Sequence, residues 1–581
     1  MEESQKSLEK NESLFEDKQQ NSNFWIRLGN RLEVPKDAED EYYQNDKLTN
    51  RDLIPIPLER RKWSALTFFS YWIVEGVSIS GYTTVSSLVG FGLSVRQSLG
   101  CAVAAGIIYG VMAVIMGWIG SHHHLGFLVF SRATFGIKGF YFPIIIRCIT
   151  GVIWFGVQSY YGGQAVRVVI ATMNPSFATW NTFAKTSGNI SSADFVGLVI
   201  YMILILPCIL IPPENLHNLF KVTFVMVFSS MMGMLIYAMH TNSGPGPMLT
   251  ANSSDLNSRG ALAWAVLQGI FSIVGTTGTG ILGQSDWTRY SKSKNGPVVA
   301  QLVGAPIAVT FAGLMGALIT SASSDLFGEA YWNPLDFLSA LQAYEGNSAK
   351  ARAGVFFAGC GFIGQQLAIN LLLNSVSTGM DMSGLFPRFL NIRRASYIVA
   401  AISICCCPWY LQSSAKVVII FGNGWGCFCS SLTGIVITKY YFIYKRKIVI
   451  SHLYRSDSSS VYFFHGGIDW RSIVSWVLGT VFLMPGLAAA ANDRDMGFWN
   501  WIFKLSYPWG IGISSISLMI LHFLFPKMEK PLSDAVDDIY TGDGNLVSEY
   551  LKDDQSSTVQ TQDMDDVSKL KCKVRTITRE V

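Results

Sequence analysis

The sequence predicts an all-α polytopic membrane protein of about twelve transmembrane helices. Ten form a five-plus-five inverted repeat with helices one and six broken, and two more follow at the C-terminal end. Three observations lead there. The 581-residue chain is 50% hydrophobic and only 14% charged, where ordinary soluble domains carry about 25% charged residues. Its apolar residues collect in runs of about 20, the length a helix needs to cross ~30 Å of hydrocarbon; CAVAAGIIYGVMAVIMGWIG (101–120) is one of them. Two of these runs, five apart in order, are broken midway by glycine and hydroxyl residues.

The same composition excludes a typical soluble enzyme. It also excludes a nucleic-acid binder, because 44 Lys+Arg against 40 Asp+Glu leaves a formal charge of only +4. Dense polar segments flank the apolar region. Residues 1–62 and 527–581 read as disordered cytosolic tails and 63–526 as the helical domain. The polar start shows no cleaved signal peptide. Lysines in the tails are expected targets of ubiquitin machinery.

The spans fall near 64–90, 97–120, 141–172, 193–212, 217–240, 261–284, 296–322, 353–377, 395–412, 415–441, 471–491 and 505–525. An even number puts both tails on one side. Loops on that side carry Arg132, Lys138, Lys221, Arg289, Lys292, Arg388, Arg393, Arg394 and Lys445–Lys447, whereas the long opposite loop carries Asp325, Glu329, Asp336 and Glu345. The positive-inside rule then makes the tails cytosolic. Sequons at Asn189 and Asn252 fall in outer loops, in keeping with that orientation. Nine of the ten cysteines lie in or beside apolar runs and read as small buried apolar residues.

The first run, FFSYWIVEGVSISGYTTVSSLVGFG (68–92), is broken near Ser78, Ser80 and Gly81. The sixth has Gly275-Thr276-Thr277-Gly278-Thr279-Gly280 at its centre, a poor helix. Unwound backbone is tolerated in a bilayer only where it lines a cavity, so these breaks mark a site near the midplane. The bland alternative is glycine used for close helix packing.

Glu75 is the only carboxylate well inside an early span. Ionised at that depth it costs at least ~2.5 kcal/mol, so it needs a partner, water or a proton. On the third span Trp154 and Gln158 are four apart and share a face. An indole that stacks and a carboxamide that donates and accepts suit a flat heterocycle, although packing explains the pair equally well. On the eighth span Gln366, Asn370 and Asn374 recur every four residues as one polar stripe, which lines either a cavity or a polar neighbouring helix. Ser78, Gln366 and Asn370 are thus cavity candidates. Arg147, at the start of the third span, pairs or snorkels at the inner face. His122-His123-His124 lacks a second ligand set at zinc-like spacing, so no metal and no cofactor is expected. The sequence has no P-loop and no nucleophile–base motif, so neither ATP-driven pumping nor an enzyme is expected.

Seven segments between Asn50 and Pro526 together resemble the fungal branch of the nucleobase:cation symporter-1 family, the purine-cytosine permease family that includes uracil, uridine, allantoin and thiamine permeases. They are NRDLIPIPLERRKWS (50–64), SRATFGIKG (131–139), VIWFGVQSYYGGQ (152–164), QSDWTRYSKS (284–293), SSDLFGEAYWNPLDFL (323–338), NSVSTGMDMSGLFPRFLNIRR (374–394) and GIDWRSIVSW (467–476). The resemblance implies the twelve-helix inverted-repeat fold. It makes Trp154 the aromatic that stacks on the substrate ring, with Gln158 and Asn374 hydrogen-bonded to it. Thr277 stands where many relatives place an aromatic, and it and Gly278 are the substrate-side positions of the sixth helix. Ala368 and Ile369 occupy the places of the hydroxyls that sodium-coupled members use, and neither can ligate a hard cation. Glu75 matches an acidic position of proton symporters.

The resulting expectation is a proton-coupled importer of a small planar heterocycle, a nucleobase such as uracil or an allantoin-like ring. It would reside in the plasma membrane, with the Golgi and the endoplasmic reticulum as alternatives. A thiamine or nucleoside permease (uridine, nicotinamide riboside) is the alternative within transport, and a non-transporting nutrient sensor the alternative outside it.

Overall fold

The computed structural model describes residues 33, 48–49, 53–182, 190–211, 216–256, 258–526, 532 and 537. Most of the two assigned tails, and Asn189 of the first sequon, lie outside these residues. The described chain is all-helical apart from two isolated β-bridges.

The first apolar run forms two helices. Ser64 opens α1 (Ala65–Gly76) with a capping box: its hydroxyl accepts from the Thr67 amide, and the Thr67 hydroxyl accepts from the Ser64 amide. The chain leaves the helix at Val77 (φ −84°, ψ 72°) and is extended at Ser78. There the Ser78 hydroxyl accepts from the Gly81 amide at 3.0 Å and starts α2 (Ile79–Gly90). One residue both breaks the helix and caps its continuation.

Helix α3 (Val95–His123) and the short α4 (Phe127–Phe135) lead to α5 (Tyr141–Met173). At 33 residues α5 is about 50 Å long, more than a bilayer core requires. Then come α6 (Ser192–Cys208) and α7 (Leu216–Thr241). The sixth run is divided into α8 (Arg259–Thr276), α9 (Gly278–Leu282) and α10 (Gln284–Thr288), with interruptions at Thr277 and Gly283. The remainder comprises α11 (Gly296–Leu326), α12 (Pro334–Tyr344), α13 (Ala349–Leu385), α14 (Ile392–Ser403), α15 (Ala415–Ile443), α16 (Trp470–Ala491), α17 (Phe498–Lys504) and α18 (Ser506–Leu524).

Among the described residues nine helices are long and apolar enough to cross a bilayer, and α6 is a shorter apolar helix. The other expected spans differ from single long helices. The run 64–90 is the α1–α2 pair. The run 395–412 is α14 followed by 3-10 turns at Ile404–Cys406 and Pro408–Gln412. Proline disfavours α geometry in the residue before it, and Cys407 adopts a left-handed φ of 48°. The acidic loop that carries Asp325, Glu329, Asp336 and Glu345 contains α12, which the sequence reading did not resolve. Of the nine cysteines read as buried, Cys101, Cys148, Cys427 and Cys429 are buried, four are partly exposed and Cys405 is exposed.

Small residues set the helix contacts. Gly76 of α1 packs on Ala308 of α11, and Gly313 and Gly316 of α11 receive Val85 and Tyr82 of α2. Gly275 of α8 meets the Gly422 carbonyl of α15. Large apolar side chains such as Ile107, Ile516 and Phe357 point outward, as a lipid-facing surface requires. Residues 53–62, assigned by sequence to the N-terminal tail, pack on the helices. Ile56 is fully buried, its amide donates to the His124 carbonyl at 3.2 Å, and the Tyr454 hydroxyl donates to the Leu53 carbonyl at 2.8 Å.

A methyl at position 275 would strike backbone, whereas one at Gly233 of α7 meets nothing within 4 Å. Gly275→Ala is expected to lose about 1–3 kcal/mol from overpacking. Gly233→Ala should be neutral or gain up to ~1 kcal/mol in helix propensity. Thermal melting of the detergent-solubilised protein measures both; equal melting temperatures for the two variants would refute the close α8–α15 contact.

Candidate functional site

The two helix breaks face one internal cavity, enclosing about 100 Å³, which α3, α5, α11 and α13 complete. Along α5 its lining residues are Arg147, Gly151, Trp154 and Gln158. Steps of four, three and four residues place them on one helix face. Gly151 is required there because any side chain would collide with Thr378 of α13.

At one end of this stripe the Gln158 amide is held on both sides. Its Nε2 donates to Ser80 Oγ of α2 at 2.7 Å, and its Oε1 accepts from Gln366 Nε2 at 3.1 Å. Asn374 lines the cavity and donates through Nδ2 to Asn370 Oδ1 at 2.9 Å. Asn370 in turn donates to Ser159 Oγ at 3.0 Å and to the Phe155 carbonyl at 3.3 Å. The expected polar stripe is therefore divided. Asn374 faces the cavity, while Gln366 and Asn370 are fully buried behind it and fix the amides in front. A π-helical segment, Asn370–Val376, rotates this part of α13 out of regular i+4 register.

Trp154 lines the cavity and packs against two rings of α15 that also touch each other. Phe421 lies 5.1 Å away and tilted, and Trp425 lies 6.3 Å away and edge-on. The Trp425 indole donates to Thr279 Oγ1 at 2.8 Å, tying α15 to the broken helix. Thr277 lines the cavity with its hydroxyl turned back to the Val274 carbonyl at 3.0 Å. Gly278 does not line it; it faces Cys429 of α15. Ser78 is likewise behind the lining, where it caps α2.

Glu75 lines the cavity one residue before the end of α1. A methyl at Gly280 would sit 3.2 Å from its Oε1, and its Oε2 is buried without a hydrogen-bond partner.

The sequence reading underestimated the other end of the stripe. Arg147 is 1% exposed and does not snorkel. Its Nη2 lies 2.7 Å from Asp286 Oδ2 of α10, and its Nε 3.0 Å from Asp381 Oδ2 of α13. The Ser377 hydroxyl accepts from Nη2 at 3.2 Å, and the guanidinium lies 4.5 Å from the centre of the Phe127 ring. Asp286 Oδ1 also accepts from the Phe127 amide at 2.8 Å, which places the carboxylate at the positive end of α4. The signal was present as two more aspartates inside or beside apolar runs, but nothing in a linear sequence says that one arginine meets both. His123 and His124 serve the fold: the first contacts the Tyr440 hydroxyl at 2.9 Å and the second the Arg289 carbonyl at 2.9 Å.

Interrupted helices meeting at a polar cavity inside a bundle of bilayer-length helices define a membrane transporter, not an enzyme. The chain belongs to the nucleobase:cation symporter-1 family: residues 55–510 match the family described as permease for cytosine/purines, uracil, thiamine, allantoin. It is 33% identical to an uncharacterized permease of Schizosaccharomyces pombe, over 82% of this chain and 80% of that one. It is 29% identical to the uracil permease of Saccharomyces cerevisiae (91% and 84%) and 29% identical to the allantoin permease of the same yeast (84% and 77%). Its fold is similar to that of Mhp1, a nucleobase-cation-symport-1 transporter solved closed with bromovinylhydantoin bound. The TM-score is 0.65 at 16% identity, over 83% of this chain and 97% of that one.

Removing Arg147 leaves two buried carboxylates without their cation, a change that costs about 3–5 kcal/mol. Arg147→Ala should give little monodisperse protein on size-exclusion chromatography. A yield and melting temperature equal to the wild type would show that Asp286 and Asp381 do not depend on it.

Proposed function

We propose that this protein is a secondary active importer, coupled to protons, that moves a small planar heterocycle by alternating access. A nucleobase such as uracil or an allantoin-like ring is the substrate class. The observation that carries this reading is the convergence of Trp154, Gln158 and Asn374 on one cavity beside the α1–α2 break. The indole offers a stacking face, and two carboxamides held by neighbours present fixed edges to ring carbonyls and N–H groups. Thr277 narrows the opposite side only slightly, and Gly278 lets α15 approach the break. In this reading twelve spans form the domain 63–526, ten of them as two inverted five-helix halves whose first helices are α1–α2 and α8–α10.

Glu75 carries the coupled proton. It stands at the break, lines the cavity and has one oxygen without a partner. A carboxyl group that meets water from alternate sides can load a proton on one and release it on the other. The buried, apolar Ala368 and Ile369 supply no hydroxyl to a sodium ion. The basic loops Arg388–Arg394 and Lys445–Lys447 support cytosolic termini, with tail lysines open to ubiquitin attachment and the plasma membrane as the location.

Uptake of a labelled panel by the purified protein in liposomes tests the substrate class: uracil, uridine, allantoin, hydantoin, cytosine, thiamine and nicotinamide riboside. Transport of at least one ring compound is expected, and none would overturn the reading. For the accepted substrate, Trp154→Ala, Gln158→Ala and Asn374→Ala should each lose about 1–3 kcal/mol of binding, roughly a fivefold to 150-fold effect, at normal surface expression. Wild-type affinity in all three would remove the pocket assignment.

Coupling is tested separately. Uptake should rise as external pH falls, ignore sodium and collapse with a protonophore. Glu75→Gln, fixed in a protonated-like form, should still exchange substrate but lose pH-driven accumulation. Accumulation at the wild-type level would make Glu75 structural.

A further inference from the structure

The cavity is longer than one heterocyclic ring. On α5 the distance from Trp154 to Arg147 is seven residues, or about 10 Å of helix rise. On α13 the same interval separates Asn374 from Asp381. All four side chains line the cavity. A ring stacked on Trp154 and bonded to Gln158 and Asn374 therefore leaves the Arg147–Asp381 end unfilled.

That end is chemically incomplete. Arg147 and Asp381 are almost wholly buried, yet Arg147 Nη1 and Asp381 Oδ1 have no hydrogen-bond partner. One is a donor and the other an acceptor, on side chains joined by the Nε–Oδ2 contact of 3.0 Å. Asp286, by contrast, is served by both Arg147 and the Phe127 amide. Buried polar groups are rarely left unsatisfied unless something else completes them. The charge balance says what that can be. Arg147 and Arg289 meet Asp286 and Asp381 here, so the opposite charges are matched in number, and the open valences, one donor and one acceptor, suit a neutral group rather than an anion.

We propose that Arg147 and Asp381 form a second, inner subsite for a neutral polar arm attached to the substrate ring. The arm accepts from the guanidinium and donates to the carboxylate, as the vicinal hydroxyls of a ribosyl group or a urea group would. This rests on the heterocycle reading above and narrows it to ring compounds that carry such an arm. Phosphorylated or carboxylated counterparts are rejected.

Matched pairs separate the two claims. Affinities of uracil against uridine, and of hydantoin against allantoin, are measured on the full-length wild-type protein in liposomes and on Asp381→Asn. In the wild type at least one armed member should bind about tenfold or more tightly than its bare ring, the gain of one or two hydrogen bonds to charged groups. The pair that shows it tells ribosyl from urea. Asp381→Asn should collapse that ratio below about twofold, and uridine monophosphate should not compete. Bare rings that bind as well as armed ones in the wild type would overturn the inner subsite while leaving the heterocycle reading intact. So would a ratio that Asp381→Asn does not change. Binding of no ring compound at all would overturn both. The wild-type comparison needs no substitution, so it decides even if Asp381→Asn fails to fold.

Discussion

A helix can be interrupted inside a bilayer only where something other than lipid meets the backbone groups it frees. That constraint organises this molecule. At Val77–Ser78 the freed groups are met partly by the chain itself, since the Ser78 hydroxyl receives the Gly81 amide. At Thr277 the neighbouring α15 closes in, with Gly275 against Gly422 and Gly278 against Cys429. Both breaks can then point their remaining polarity at one cavity. The glycines at these contacts let α15 stand close behind the cavity lining, which brings Phe421 and Trp425 to the flank of Trp154.

Electrostatics follow the same geometry. Helix α5 carries Arg147 near one end and Arg167 near the other, twenty residues or about 30 Å apart. Each meets two aspartates from other elements. Arg147 holds Asp286 and Asp381, and Arg167 lies 3.2 Å from both Asp194 of α6 and Asp336 of α12. Buried ion pairs add little net stability, because desolvation offsets much of the attraction, but a broken one is expensive. Their effect here is positional. They fix α5, and with it the Trp154–Gln158 face, against the elements that surround it.

Most of the architecture was legible because the bilayer imposes simple rules. Long apolar runs and glycine-rich interruptions are local properties of a chain. Trp154 and Gln158 were legible as neighbours on one helix face because they are four residues apart, whereas spacing grouped Asn374 with Gln366 and Asn370 and only the family resemblance singled it out. The rest depended on contacts between distant segments. The π-helical turn at Asn370–Val376 decides that Asn374 faces the cavity while Gln366 and Asn370 stand behind it, and no local pattern announces it. Nor does spacing reveal that Arg147 meets Asp286 and Asp381, residues 139 and 234 positions away. The aromatic flank from α15 was missed because Phe421 and Trp425 read as ordinary packing residues until Trp154 is placed beside them. Ser78 and Gly278 were legible as break residues, but Ser78 turns to cap α2 and Gly278 faces α15 rather than the cavity.

The most direct test is a cryo-EM map of the protein with its transported ligand bound. Ring density is expected on the face of Trp154, within hydrogen-bonding distance of the Gln158 and Asn374 side chains and beside the α1–α2 break. Ligand density outside this cavity, or a cavity that holds only ordered water at saturating ligand, would contradict the assignment of the broken-helix cavity as the substrate site.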